Sequence, residues 1–266
     1  MVSKLFDRPV IEAIGLRKTY RKGNVEAVRG IDLVVPAGVC FALLGPNGAG
    51  KSTTLEMLQG LMQPTSGTLR IFGLGYRDCE REIRQRIGGI LQDTEFYGKT
   101  KVSELLELFA SLYAEPSEVS EVASSLGLNE ILGRFIQDLS GGQRQRAFLG
   151  TALIGKPELI FLDEPTTGLD PAARHDFWAT IRELKAAGTT IVLSTHYMEE
   201  AEALADQLVI IDGGKVIESG KPVEIIERVM QGREIPLRPR RATLNDVFLT
   251  LTGKPLELEP EMQGAA

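Results

Sequence analysis

The sequence predicts an α/β fold: a core built on a mostly parallel sheet, an N-terminal antiparallel β subdomain and an inserted helical subdomain. Three observations carry that expectation. Short strand-like runs broken by Gly and Pro crowd the first fifty residues, the stretch from about 93 to 157 turns to helical spacing, and three nearly continuous apolar runs follow it. Such runs are how strands covered on both faces read. The chain has 266 residues, 43% of them apolar and 25% charged, an ordinary globular composition with ample length for a large core.

In chain order, residues 10–14, 31–35 and 39–44 are the first strands, and several of them are expected to pair antiparallel. From Glu104 the apolar residues Leu105, Leu106, Leu108, Phe109, Leu112 and Tyr113 share one helical face until Pro116 intervenes. Residues 117–126 make a second short helix ended by Gly127. Residues 159–162, 190–194 and 208–211 are the compact apolar runs, and a helix opened by Pro171 and closed by Gly188 joins two of them in the βαβ manner. Past Gly220 comes one helix over 222–230. A basic stretch with Arg233, Arg238, Arg240 and Arg241 follows, then a further helix with the apolar stripe Leu244, Val247, Phe248 and Leu251. Thr243 to Asp246 resembles a capping box with Asp in place of Glu, and the acidic end 257–266 reads as a disordered tail. The expected organisation is one large domain over 1–232 and a C-terminal extension over 233–266.

Charge and cysteine content narrow the partners. Thirty Lys and Arg against 36 Asp and Glu leave a net charge of -6, so nucleic acid is not the expected main partner, because phosphate binding wants a basic surface. Only Cys40 and Cys79 occur, without metal-ligand spacing and with two histidines in the chain. Both cysteines read as structural, and the compartment as reducing. No secretory signal or membrane span is expected: residues 33–50 are charge-free, but Pro36, Gly38, Gly45, Pro46 and Asn47 interrupt them. The one oddity is 28 glycines, above the roughly 7% of average usage.

Part of that excess is chemical. Gly45-Pro46-Asn47-Gly48-Ala49-Gly50-Lys51-Ser52 fits G-x-x-x-x-G-K-[ST] and follows directly on a predicted strand. In a P-loop the glycines let backbone N–H groups wrap a phosphate and the next helix adds its positive end; Lys51 supplies charge and Ser52 can ligate Mg2+. Average composition gives such a string in roughly one or two of a hundred chains of this length. Asp163 and Glu164 stand just past a buried strand, where ligand crevices of open α/β sheets lie. Two adjacent carboxylates there divide the labour of phosphoryl transfer: Asp163 holds Mg2+, and Glu164 orients or deprotonates the attacking water. In isolation the pair reads more readily as solvated acids before Pro165, and the phosphate loop upstream reverses that preference. Leu139-Ser140-Gly141-Gly142-Gln143 opens a helix and offers a second set of N–H groups to an anion; alone it is an ordinary N-cap.

Taken together these three strings resemble the ABC-type ATPase family, whose signature is that pentapeptide. The resemblance covers nearly all of residues 10–220 and implies a P-loop NTPase core that binds ATP with Mg2+. It implies that Tyr20 stacks on adenine, a strand aromatic near the surface being the lesser alternative. Gln92 would touch Mg2+ and the attacking water, Asp170 after Gly168-Leu169 would lie in a loop crossing between subunits, and His196 would contact the γ-phosphate. His175 has no such role and reads as a surface residue. Ser140, Gly142 and Gln143 of one chain would close over ATP held by Gly45 to Thr53 of the other, in a homodimer or a dimer of paralogues. Two positions depart from the family pattern: Val39 replaces an acidic residue, and Lys101 replaces a threonine, so that Thr100 or Ser103 is the expected cap of the next helix.

An ATPase of this family without a membrane span docks on a separate polytopic permease at the cytoplasmic face of the membrane. Residues 195–202 and 243–253 resemble the subgroup serving export of drugs, lipids or polysaccharides. The C-terminal helix fits packing or dimer support equally well. The other readings are an importer subunit, which shares every catalytic residue, and a soluble ATPase acting on DNA or ribosomes.

Overall fold

The strand Cys40–Leu44 (β3) has every side chain buried and sits inside a six-stranded sheet. A computed structural model describes residues 9–21, 23–92, 94–231 and 243–252. In that sheet the order is β5 (Ile87–Ile90), β6 (Leu159–Asp163), β7 (Thr190–Thr195), β3, β8 (Gln207–Asp212) and β9 (Lys215–Gly220). All neighbours run parallel except the β8–β9 hairpin. A second, three-stranded antiparallel sheet holds β1 (Ile11–Tyr20) between β2 (Val25–Val35) and β4 (Ser66–Ile71).

The apolar runs follow from two cores, one on each face of the large sheet. Cys40, Ala42 and Leu44 point into one core with Ile160, Leu162, Ile191, Leu193, Leu208 and Ile210. Phe41 and Leu43 point into the other with Leu159, Phe161, Val192, Val209 and Ile211. Alternate residues thus serve opposite faces and all of them are buried. The antiparallel sheet covers the second face, together with α1 (Lys51–Leu58) and α2 (Tyr76–Arg86). The first face is covered by α3 (Val102–Ala110), α4 (Val119–Ser125), α5 (Gly141–Leu153), α6 (Pro171–Ala186), α7 (Met198–Leu204), α8 (Pro222–Met230) and α9 (Leu244–Thr252).

Several sequence expectations need correction. β3 does not join the antiparallel sheet with its sequence neighbours; it pairs parallel with β7 and β8, because only there are both of its apolar faces covered. β1 runs to Tyr20, further than its apolar start suggests, since its second half is only partly buried. β4, α2 and β9 carry no clear sequence signal: β4 buries only Ile71 and α2 only Ile83. Neither Thr100 nor Ser103 caps α3. The cap position is Lys101, whose backbone N–H donates to the Glu104 carboxylate at 2.9 Å, the half of a capping box that needs no acceptor on the Lys side chain.

The helical segment holds the two expected helices, but α3 ends at Ala110, short of Pro116, and Leu108 and Leu112, expected on its apolar face, are 57% and 62% exposed. Besides α3, α4 and α5 it holds 3₁₀ turns at Asn129–Ile131 and Ile136–Asp138 and one isolated bridge from Lys101 to Phe135. Gly127 and Gly188, at φ 62° and 97°, take the left-handed conformation that ends α4 and α6. Cys40 is fully buried, and burial, with the Asp206 charge beside it, pushes its thiol up to about 12, so it is inert packing. His175 is exposed.

At the C-terminus α9 packs on α7 and α8. Leu244, Val247 and Phe248 are buried in the helix-side core, whereas Leu251 is 39% exposed and falls off the expected stripe. The first N–H of the helix, on Leu244, donates to Glu202 Oε1 at 2.7 Å. The side chain of Asp246 in the expected capping box, the basic stretch 233–241 and the acidic tail 257–266 lie outside the described residues.

Candidate functional site

Parallel pairing brings three strand ends to one level. Leu44 pairs with Thr195 and Asp163 with Ser194, so the segments after β3, β6 and β7 open into one crevice at the carboxyl edge of the sheet, where such sheets bind ligands.

The turn after β3 is shaped by glycine. Gly50 precedes α1 at φ 100°, and a Cβ there would stand 2.4 Å from the Ala27 carbonyl oxygen. A Cβ on Gly45 would meet the Ile211 carbonyl at 2.1 Å. Both positions need glycine, and Gly48 adds a second left-handed φ of 77°. Asn47 and Gly48 are exposed at the tip. Lys51 begins α1 with a buried side chain whose Nζ donates to the Pro46 carbonyl at 3.1 Å, folding the amine back over the turn. Tyr20, at the end of β1, reaches the first turn of α1: its hydroxyl lies 3.2 Å from Thr53 Oγ1.

Glu164 is the centre of the crevice. Its Oε1 lies 3.2 Å from Lys51 Nζ. Its Oε2 lies 3.1 Å from His196 Nδ1 and accepts from Gln92 Nε2 and Thr167 Oγ1, each at 3.4 Å. A carboxylate only accepts, so Nδ1 carries the hydrogen that faces it, and the amide nitrogen of Gln92 is the end turned toward it. Burial by itself would raise the pKa of Glu164, but the His196 hydrogen bond and the Lys51 charge outweigh it and hold the group down at about 2. Its backbone is also unusual: φ is 47°, a left-handed conformation that costs a β-carbon residue on the order of 1–3 kcal/mol. Two bonds from its N–H hold it there, to Ser194 Oγ at 3.0 Å and to the Ser194 carbonyl at 3.2 Å.

Asp163 faces the P-loop helix. Its Oδ1 accepts from Ser52 Oγ at 3.2 Å and from the Ser194 hydroxyl. Burial raises its pKa, opposed by the Ser194 and Ser52 hydrogen bonds. A hydroxyl and a carboxylate in contact are hard oxygen donors of the kind Mg2+ takes beside phosphate and water, so the residues fit that ion.

The structure therefore brings together Tyr20, Gly45, Asn47, Gly48, Gly50, Lys51, Ser52, Thr53, Gln92, Asp163, Glu164 and His196. Ser140, Gly142, Gln143 and Asp170 stand apart. Among the described residues no hydrogen bond links them to the P-loop. Ser140 caps α5 through a reciprocal pair with Gln143, at 3.3 Å and 3.1 Å. Asp170 caps α6 by accepting from the Ala173 N–H at 2.9 Å. Gly142 lies so close to α6 that an added Cβ would be 3.0 Å from Ala173 Cβ. Sequence reasoning missed Ser194 and Thr167. The readable signal for Ser194 was a small hydroxyl residue near the end of a buried strand beside the one that ends in Asp163.

Comparison with known proteins agrees with this geometry. The profile of the ABC transporter family matches residues 28–167. Nod factor export ATP-binding protein I of Cupriavidus metallidurans is 39% identical over 265 residues, covering 96% of this chain and 84% of that protein. The daunorubicin/doxorubicin resistance ATP-binding protein DrrA of Streptomyces peucetius is 40% identical over 220 residues, 81% of this chain and 66% of that protein. A solved structure of the ATP-binding subunit of an ABC transporter superposes with a TM-score of 0.78 at 31% identity, covering 91% of this chain and 99% of that one.

Proposed function

The chain belongs to the ABC transporter family as an ATP-hydrolysing subunit, and from that premise we propose that it powers export of a drug, lipid or polysaccharide through a separate polytopic permease at the cytoplasmic face of the membrane. The relatives named for Nod factor export and for daunorubicin resistance support the direction of transport. No helix among the described residues is long and apolar enough to cross a membrane, in keeping with a separate permease.

The observation that carries the mechanism is the convergence of Lys51, His196 and Gln92 on the Glu164 carboxylate. Gly45, Asn47, Gly48, Gly50, Lys51, Ser52 and Thr53 bind the phosphates, and Tyr20 stacks on the adenine. Ser52, Asp163 and Gln92 would hold Mg2+, which would supply positive charge against the phosphate oxygens. Lys51 cannot serve both a phosphate and Glu164 fully, so phosphate binding draws the amine away. Glu164 then loses part of what holds its pKa low and becomes a better base toward the attacking water, oriented by Gln92. His196, with its hydrogen on Nδ1, turns its other ring nitrogen to the γ-phosphate side.

A second copy of the chain supplies Ser140, Gly142 and Gln143, with Asp170 in the loop that crosses between the two. Ser140 and Asp170 are exposed, Gly142 and Gln143 are half-buried, and their position away from the P-loop of their own chain supports this reading. Residues 1–232 form the nucleotide-binding unit and 233–266 its extension.

Affinity purification of the full chain from detergent-solubilised membranes of its host tests the assignment. A polytopic membrane protein should co-purify and stimulate the ATPase. Stimulation by DNA or ribosomes instead would overturn it, and a requirement for an external substrate-binding protein would reverse the direction to import.

A further inference from the structure

Behind the phosphate site lies a carboxylate that the mechanism above does not use. Glu200 on α7 is fully shielded from solvent. Its Oε1 accepts two hydrogen bonds, from the Thr166 hydroxyl at 2.8 Å and from the Trp178 indole N–H at 3.0 Å. Among the described residues its Oε2 has no hydrogen-bond partner, and neither has the buried Nε of Arg174. The Arg174 charge favours the carboxylate, and its guanidinium lies 4.6 Å from the centre of the Tyr197 ring.

Each of these partners belongs to an arm of the site. Thr166 comes two residues after Glu164, and its carbonyl accepts the Leu169 N–H at 3.2 Å, closing the turn that leads through Gly168 to Asp170. Arg174 and Trp178 lie on α6, which Asp170 caps. Tyr197 follows His196 directly, and its ring packs on the imidazole with centres 4.1 Å apart. One buried side chain thus spans the loop after β6, the helix after that loop and the helix after β7.

Packing alone does not account for an acid here. Burial raises the pKa of Glu200, opposed by the hydroxyls of Thr195 and Thr166, the Trp178 indole and the Arg174 charge. A buried carboxylate costs stability relative to an apolar residue of the same shape, so its two hydrogen bonds to separate elements point to a role in geometry.

We propose that Glu200 is a positioning residue: through Thr166 and Trp178 it holds the loop from Glu164 to Asp170 in register with His196, so that hydrolysis depends on it while nucleotide binding does not. The proposal rests on the ATPase reading of the site. A side chain that fixes two arms relative to each other matters when both must meet one γ-phosphate, because small misplacements of reacting groups cost large factors in rate.

The test uses the full chain and three variants: Glu200→Gln, Thr166→Val, which keeps shape and loses the hydroxyl, and Thr166→Ser, which restores it. Steady-state ATPase gives kcat and KM, a fluorescent ATP analogue gives Kd, and thermal unfolding followed by emission of Trp178, the single tryptophan, gives the folding control. Glu200→Gln and Thr166→Val should lower kcat by about tenfold or more with Kd within about twofold of wild type. Thr166→Ser should return kcat to within about threefold. Wild-type kcat in Thr166→Val would overturn the proposal, as would a parallel loss of kcat and nucleotide affinity that Thr166→Ser does not repair. If Glu200→Gln does not fold, the Thr166 pair decides. Absence of ATPase in the wild-type chain would strike the functional reading itself, and that result is read separately.

Discussion

Lys51 Nζ and Glu164 Oε1 lie 3.2 Å apart, with side-chain exposures of 4% and 5%. The lysine that should face a phosphate is thus ion-paired with the carboxylate that should face water. Removing one partner of a buried pair leaves the other charge uncompensated, which typically costs about 3–5 kcal/mol. Stability and chemistry are coupled through this one contact.

Replacing the carboxylate should therefore have two effects. Glu164→Gln is expected to bind ATP with near wild-type affinity and to lower kcat by about a hundredfold or more, the upper part of what a positioned base contributes. The variant should accumulate a nucleotide-bound dimer, visible by size-exclusion chromatography with ATP. Wild-type turnover in the variant would refute the assignment of the base.

Lys51→Ala removes the amine from both of its partners. ATP affinity should fall by about tenfold or more, as expected when a buried charge-assisted contact is lost. Without the lysine charge the pKa of Glu164 should also move up from about 2. Calorimetric titration with ATP checks the first expectation, and unchanged affinity would contradict the phosphate role.

The acid limb of stability carries the same signature. Glu164 is held at about 2, below its ordinary 4.5. A group depressed in the folded state contributes stability above its unfolded pKa and loses it as pH falls through the folded one. The contribution, on the order of 3 kcal/mol, should therefore disappear between about pH 4.5 and pH 2. Wild type should melt above Glu164→Gln at pH 7, and the gap should close over that window in a pH series of thermal melts. Asp163, whose pKa is raised, works in the opposite sense, but it is present in both proteins and cancels to first order.

The C-terminal helix is part of the core. Phe248 is 3% exposed among the residues of α7 and α8, and Phe248→Ala should cost about 3–5 kcal/mol. For a chain of this size that lowers Tm by roughly 6–20 °C. A melting temperature unchanged by the substitution would show that α9 docks without contributing to stability.

Much of this was legible in the chain. The burial of both faces that makes the centres of β3, β6, β7 and β8 apolar is a local pattern, and so are the glycines of residues 45–50, the Lys51-Ser52 pair and the acids after a buried strand. β4, α2 and β9 were not, because each buries too little for a periodic signal. The partner of β3 was not legible either, since pairing with β7, about 150 residues away, depends on which sheet offers cover on both faces.

By itself the sequence determined the class of fold, the phosphate turn and the order of the motifs, because these depend on residue type at short spacing. Tertiary structure alone decided which atoms meet: Lys51 with Glu164, Glu164 with His196 and Ser194, and Glu200 with Thr166 and Trp178. Residues 198–204 contain three glutamates, and nothing in their spacing says that Glu200 is the buried one. The physical reason is that a charged side chain is driven under cover by partners that only the folded chain assembles, and no local pattern records them.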